Sequence, residues 1–315
     1  MLADTNLGPT KLDRPIGICP RCRAVARSYD QIGKMERTTT DAILLTFLGT
    51  RGEIDISSAR HRRHSALLIE HGRSRIMLDC GADWRGRLST IAPTAVLLTH
   101  AHPDHAAGLS EGAPCPVHAT EETLKLLRRF PIGDPRRIRP GRPMTIGGVR
   151  VTAYRVRHSI RAPAVAYRVS TTAGCFIYLP DAAAPPEDRR ALAGVDVYIG
   201  DGATMTRSMV RKKRGTAIGH ASIEMQLEWC EAACIRRAIF THCGSALVRA
   251  PARQLNAALR RLGEEHEVEA LVACDGDRLM LRDRGRRRRR GINPIYTRSA
   301  TCDASSAQSW LRCHP

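Results

Sequence analysis

The segment that most constrains this chain is THAHPDH at residues 99–105, which stands at the end of the predicted β-strand TAVLLTH. Three imidazoles and one carboxylate occur within six residues of it, at His100, His102, Asp104 and His105. Alternating side chains of an extended backbone point to one side, and the following turn supplies two more ligands, so all four can bind metal together. The segment therefore predicts a metal-binding loop at the end of a strand.

The elements around this loop predict a layered α/β or α+β domain. A run of strands followed by strands alternating with helices is typical of helices that cover sheets. The predicted strands are AILLTFLG, SALLIE, RIMLD and TAVLLTH, then residues 149–154, 164–170, 175–179, 195–199, 237–240 and 268–274. The predicted helices are residues 121–130, 223–233 and 252–262.

Composition and charge predict one folded domain at residues 41–283 between two peripheral segments. The 43% hydrophobic content is enough for a sizeable core. Residues 1–40 are interpreted as a poorly ordered N-terminal extension and residues 284–315 as a basic, disordered tail containing RGRRRRRG. About half of the net charge of +19 lies in these two segments, which favours anionic partners.

The chain shows no sequence signal for a membrane or an export pathway. No apolar run approaches the roughly 20 residues that a membrane span requires, and the start of the chain has no apolar signal stretch. The 11 cysteines are odd in number and scattered, which predicts mostly reduced thiols. These features predict a cytoplasmic protein without a membrane partner, and leave its oligomeric state open, a homodimer being one possibility.

The H-x-H-x-D-H element, preceded by the turn Leu78-Asp79-Cys80-Gly81, resembles the metallo-β-lactamase superfamily. The resemblance covers about residues 42–282 and implies a four-layer αββα sandwich of two sheets flanked by helices. Asp79, in the LDCG turn, is interpreted as a carboxylate that orients a ligand histidine rather than as a ligand itself. Asp201, in YIGDGAT, is expected to line the pocket, without a role assigned to it.

The same resemblance implies two divalent metal ions. The implied first site is His100, His102 and His158, the second is Asp104, His105 and His242, and Asp181 bridges the two. These are nitrogen and oxygen donors, which suit zinc, with manganese or iron as alternatives. Two close metals lower the pKa of a bridging water and produce hydroxide at neutral pH, so hydrolysis is the implied reaction, with Asp104 counted among the catalytic residues.

Other motifs resemble one branch of that superfamily, which contains the tRNA 3′-processing endonucleases and the cyclic phosphodiesterase of phosphonate catabolism. They are Phe47-Leu48-Gly49-Thr50, Arg63-His64-Ser65 and the LDCG turn. The branch also implies that His220, in GHAS, is a catalytic residue that donates a proton or stabilises charge. Ala221 stands where the tRNA-processing enzymes have glutamate, which favours a smaller substrate than precursor tRNA.

The segment Arg211-Lys212-Lys213-Arg214-Gly215 is interpreted as a basic loop that attracts phosphates. With the basic tail, it predicts non-specific contact with nucleic acid. The predicted function is a dinuclear phosphodiesterase acting on a small anionic phosphodiester, a nucleotide or an RNA end. Two alternatives stay open: a carboxylic ester, lactone or thioester hydrolase with the same metals, and a nucleic-acid-binding protein with a structural metal site.

Overall fold

The computed structural model describes residues 42–282 and 295–299. The predicted N-terminal extension, and the arginine run of the tail, lie outside the described residues. None of the helices within the described ranges is both long and apolar enough to cross a membrane.

Strands make up most of the regular structure. Strands β1 to β17 are Ala42–Gly49, Ala66–His71, Ser74–Leu78, Ala95–Leu97, Val117–Thr120, Pro135–Ile138, Pro143–Ile146, Val149–Val156, Ala164–Thr171, Gly174–Tyr178, Val197–Asp201, Arg211–Lys213, Thr216–Ile218, Arg237–Thr241, Glu269–Val272, Arg278–Arg282 and Ile295–Thr297. Helices α1 to α6 are Leu88–Ile91, Pro103–Ala106, Glu121–Leu126, Ile223–Ala232, Ser245–Arg249 and Ala252–Glu265. Short 3₁₀ helices occupy Ala82–Trp84, Ala107–Leu109 and Arg189–Ala191.

The strands form two large sheets. The first has eight strands in the order β17-β16-β1-β2-β3-β4-β5-β6, and the second has seven in the order β15-β14-β11-β10-β9-β8-β7. In both sheets one half is antiparallel and the other parallel: β3 to β6 run parallel in the first, and β10, β11, β14 and β15 in the second. Strands β12 and β13 form a separate antiparallel hairpin.

Apolar side chains of both sheets meet in one core. Phe47 of β1 packs in the same fully buried cluster as Tyr167 of β9 and Phe176 of β10. The outer face of the second sheet is covered by α4 and α6, through residues such as Leu227 and Leu255. Burial of this apolar surface is the main stabilising contribution to such a fold.

The outer face of the first sheet is covered in the same way. Leu88 of α1 and Ala106 of α2 pack in one cluster with Met77 and Val96 of the sheet. The order from one side of the molecule to the other is therefore helices, sheet, sheet, helices. The predicted four-layer α/β (α+β) sandwich is confirmed.

The structure differs from the sequence predictions at the basic segment and in the tail. The basic segment at residues 211–215 is not a loop but a hairpin, whose turn at Arg214 and Gly215 has φ values of 49° and 76°. The strand Ile295–Thr297 pairs with β16 inside the segment that was predicted to be disordered. That prediction therefore does not hold for residues 295–299.

The strands that lead to the predicted site residues end at one edge. Strands β10, β11 and β14 are parallel, and β8 runs in the same direction because it is antiparallel to β9, which is antiparallel to β10. The carboxyl ends of such strands are where polar side chains from different loops can converge. His158 follows β8, Asp181 follows β10, Asp201 ends β11 and His242 follows β14.

Candidate metal centre

The structure brings all the residues predicted for the site into one cluster. Their candidate ligand atoms form overlapping groups, within each of which the atoms lie no more than 4.8 Å apart. The residues are His100, His102, Asp104, His105, His158, Asp181, His220 and His242. Apart from His102 and His220, which are partly buried, these side chains are buried, so the cluster lies largely away from bulk water.

Three histidines turn ring nitrogens toward one another. The distance from His102 Nδ1 is 3.0 Å to His100 Nε2 and 3.2 Å to His158 Nε2. Burial lowers the pKa of His100 well below its usual value and that of His158 to about 4. Neutral imidazoles in this arrangement present a tridentate set of nitrogen donors, as a metal ion requires.

Hydrogen bonds to the opposite ring nitrogens fix the tautomers of two of these histidines. Thr99 Oγ1 donates to Asp79 Oδ1 at 2.9 Å, so it is left to accept from His100 Nδ1, 3.0 Å away. His158 Nδ1 lies 3.3 Å from the carbonyl oxygen of Gly219, to which it donates. Both Nε2 atoms are then unprotonated and free to bind a metal.

The second half of the cluster combines carboxylates with two further histidines. His105 Nε2 lies 2.7 Å from Asp181 Oδ2, and His242 Nε2 lies 2.9 Å from Asp104 Oδ2. His105 donates from Nδ1 to Asp79 Oδ2 at 2.8 Å. Asp79 thus orients a site histidine in the way that the sequence predicted.

The contact between His105 and Asp181 indicates that a cation fits between them. Although 2.7 Å apart, His105 Nε2 and Asp181 Oδ2 are buried without a hydrogen-bond partner. With Nδ1 donating to Asp79, Nε2 of a neutral His105 offers a lone pair to a negatively charged oxygen. Two such acceptors aimed at one point are stabilised by a shared metal ion.

The electrostatics of His105 indicate the same need for positive charge. Burial disfavours its charged form, but the neighbouring carboxylates, led by Asp104, outweigh burial and hold the pKa of His105 well above its usual value. The pKa of His242 is raised in the same direction, with Asp181 the largest influence opposing burial. A divalent metal ion can supply the charge that protons supply in its absence.

His220 lies at the partly exposed rim of the cluster and is held by Asp201. Its Nδ1 is 2.8 Å from Asp201 Oδ2, and its ring stacks on that of His242 with centroids 5.4 Å apart. Burial disfavours the charged ring, but Asp201 and then Asp181 outweigh it, so the pKa of His220 is raised. With Nδ1 committed to Asp201, Nε2 is the atom left to contact a substrate.

Asp201 is itself fixed by a buried glutamine. Gln226 Oε1 accepts from the backbone N–H of Asp201 at 2.8 Å, and its Nε2 donates to the Asp201 carbonyl at 2.7 Å. The sequence placed Asp201 near the pocket but gave it no role, because a carboxylate that orients a residue 19 positions away has no local pattern. The sequence also carries no signal for Glu53, whose carboxylate lies in a group with His102 and Asp104.

The basic hairpin of residues 211–218 is joined directly to His220. The N–H of Met209 donates to the carbonyl of His220 at 3.1 Å, and the N–H of Gly219 donates to that of His158 at 2.8 Å. All four basic side chains at 211–214 are exposed, and none makes an ion pair with an acid of the described residues. The hairpin therefore presents positive charge without ion-pair partners among the described acids, and the residues at its base are bonded to His158 and His220.

Comparison with known proteins places this cluster among related chains. The family model described as "Beta-lactamase superfamily domain" matches residues 74–243, a range that runs from β3 to just beyond His242. Ribonuclease Z of Methanopyrus kandleri is 31% identical over 147 residues, which are 41% of this chain and 50% of that protein. The chain thus matches about half the length of this curated relative.

Two solved structures share the fold across nearly the whole of their length. A diphosphatase from the PhnP family has a TM-score of 0.59 at 20% identity, with 77% of this chain and 99% of that chain covered. The metallo-β-lactamase fold protein YhfI from Bacillus subtilis has a TM-score of 0.59 at 16% identity, with coverages of 76% and 98%. At these identities the likeness shows a common fold.

Proposed function

The chain belongs to the beta-lactamase superfamily, since the family model matches more than half of it, and on this premise we propose that it is a metal-dependent phosphodiesterase. The resemblance to the metallo-β-lactamase superfamily is thereby confirmed. The proposed substrate is a small phosphodiester, a nucleotide or an RNA end. The observation that carries this choice is the basic hairpin joined to His220.

The donor set fits two divalent metal ions, which we propose to be zinc. The first would be held by His100, His102 and His158, and the second by Asp104, His105 and His242, with Asp181 between them. When bound, such a pair lowers the pKa of water and polarises a phosphoryl oxygen. Nitrogen and oxygen donors suit zinc, and manganese and iron are the alternatives to test.

The protein's own residues would orient and protonate the substrate. His220 Nε2 is directed by the Nδ1 contact with Asp201 and stands at the exposed rim, where a leaving oxygen can reach it. A proton donated there assists departure of the alkoxide, a contribution of about 10² to 10⁴ in rate for a placed acid. Asp201 acts through His220 as a positioning residue.

Replacing Gly52 with alanine is expected to weaken metal binding about tenfold, the scale on which residues supporting a metal ligand act. A Cβ atom at Gly52 would lie 3.0 Å from both Cε1 and Nε2 of His242, so the ring must shift. Titration of the metal-free protein with zinc measures the effect. Gly133→Ala is the matched control, because a Cβ there meets no atom within 4 Å; equal affinities for the two variants would contradict the role of His242.

Two relatives make phosphate esters a reasonable substrate class. The curated relative is named a ribonuclease and the solved neighbour a diphosphatase. Phosphates are attracted by unpaired cations near a site, whereas a neutral ester or lactone gains nothing from them. The hairpin Arg211–Ile218 thus favours a phosphodiester over the carboxylic ester alternative.

Replacing Arg211, Lys212 and Lys213 together with glutamine is expected to lower kcat/KM for a single-stranded oligoribonucleotide about tenfold more than kcat/KM for bis(p-nitrophenyl) phosphate. The salt dependence of oligonucleotide binding should fall by about 2 in the slope of log K against log salt, since each single-strand phosphate contact contributes about 0.7. The control removes the same charge from three exposed cations elsewhere, Lys125 at the end of α3 and Arg128 and Arg129 just after it. Equal losses in the two triple variants would contradict the role of the hairpin.

A further inference from the structure

The loop that follows β1 is anchored beside the metal centre by a buried arginine. Arg51 is 8% exposed, and its guanidinium donates to the carbonyl of Arg62 at 3.2 Å, to the carbonyl of Ile54, and to Asp83 Oδ2 at 2.8 Å. The bond to Ile54 joins the two ends of the turn at residues 51–54, and the bonds to Arg62 and Asp83 hold its first residue to other parts of the chain. The backbone of this turn is therefore held in place, and with it the point from which the Glu53 side chain starts.

The next residue packs this loop against a site histidine. Gly52 donates its N–H to the carbonyl of Cys243 at 3.1 Å and lies over the His242 ring. The backbone of Arg51 bridges on one side to Cys243 and on the other to His64. The turn is thereby fixed on the side of the cluster formed by Asp104 and His242.

Glu53 projects from this anchored turn to the mouth of the cluster. A carboxylate oxygen of Glu53, a ring nitrogen of His102 and a carboxylate oxygen of Asp104 all lie within 4.8 Å of one another. Glu53 is exposed, whereas Asp104 is buried and His102 is partly buried, so Glu53 is the outermost acid of the three. None of the ion pairs found among the described residues includes Glu53.

We propose that Glu53 determines specificity by disfavouring phosphate monoesters relative to phosphodiesters at this site. This inference rests on the proposed phosphodiesterase function. A diester carries one negative charge, whereas a monoester carries nearly two above its second pKa of about 6. A carboxylate at the mouth of a largely buried site repels a dianion about twice as strongly as a monoanion, and such a site screens charges less than bulk water does.

The test compares two pairs of compounds that differ by one charge. The substrates are bis(p-nitrophenyl) phosphate and p-nitrophenyl phosphate, and the competitive inhibitors are dimethyl phosphate and methyl phosphate, all at pH 8 with metal-loaded protein. In Glu53→Gln, the ratio of kcat/KM for the monoester to kcat/KM for the diester should rise about tenfold. The affinity for methyl phosphate should likewise rise about tenfold relative to the affinity for dimethyl phosphate. Glu265→Gln, an exposed position on α6, removes the same charge and should leave both ratios as in the parent protein.

Other outcomes separate the failure of this inference from the failure of the function it rests on. Ratios that change less than twofold in Glu53→Gln would overturn the specificity role. Loss of metal in Glu53→Gln would also overturn it and would make Glu53 a metal ligand. A parent protein that binds metal but cleaves no diester would refute the proposed phosphodiesterase function itself.

Discussion

Replacing His102 with alanine is expected to remove metal and hydrolysis together, with a loss in kcat/KM of about a thousandfold or more, since a bound metal contributes several kcal/mol to the transition state. His102 Nδ1 is the atom that faces both His100 and His158, so its loss breaks the three-nitrogen group at its centre. The side chain is partly exposed, and its removal leaves the fully buried core unchanged. Folding should therefore survive the substitution.

Two measurements are made on the same preparation of this variant: its metal content, by elemental analysis, and its rate of diester hydrolysis. His266→Ala is the matched control. His266 lies at the end of α6, pairs with Glu231 of α4 and takes no part in the cluster. The control should keep the parent metal content and rate. If His102→Ala retained both metal and activity, the assignment of the three-histidine group would be wrong.

Replacing His220 with alanine is expected to have the opposite combination of effects: metal is retained, while kcat falls by about 10² to 10⁴, the range for loss of a general acid. The reason lies in the position of the ring. It stands at the rim, with Nδ1 bound to Asp201, and the remaining carboxylate and imidazole donors stay in place without it. Metal analysis and steady-state kinetics on one preparation distinguish this variant from His102→Ala.

A companion substitution tests whether His220 acts through its orientation. In Asp201→Asn the backbone contacts with Gln226 are kept, while the charged acceptor for His220 Nδ1 is lost. Because Asp201 Oδ1 also lies 3.4 Å from His242 Nδ1, metal content is measured alongside the rate. With metal retained, kcat should fall less than in His220→Ala, and combining the two substitutions should add little, because both then act through the His220 ring. A full rate in His220→Ala would refute the acid assignment, and loss of metal there would make His220 a ligand.

The metal loop could be predicted from sequence because its information is local. His100, His102, Asp104 and His105 lie within one strand end and one turn, so the backbone alone brings them together. The distant members, such as His158 and His242, were found through the order of motifs in a superfamily. These side chains come together because parallel strands end at one edge of the second sheet, and that pairing cannot be read from the sequence.

The features that were missed depend on contacts between distant segments. Asp201 has a role in the site because its carboxylate contacts His220. Glu53 lies at the cluster because Arg51 and Gly52 hold its turn there. The segment at 211–215 turns at Arg214 and Gly215, which both adopt the positive φ of a two-residue hairpin turn, but arginine before glycine is not one of the pairs that signal such a turn in a sequence. The strand Ile295–Thr297 lies in a polar tail and pairs with β16.

The most direct test of the central claim is elemental analysis of the purified protein combined with hydrolysis of bis(p-nitrophenyl) phosphate and a p-nitrophenyl ester, before and after chelation. The account predicts about two metal ions per chain. It also predicts diester hydrolysis that chelation abolishes and zinc restores. Fewer than about one metal ion per chain after reconstitution would contradict the dinuclear site, and ester hydrolysis without diester hydrolysis would contradict the proposed substrate.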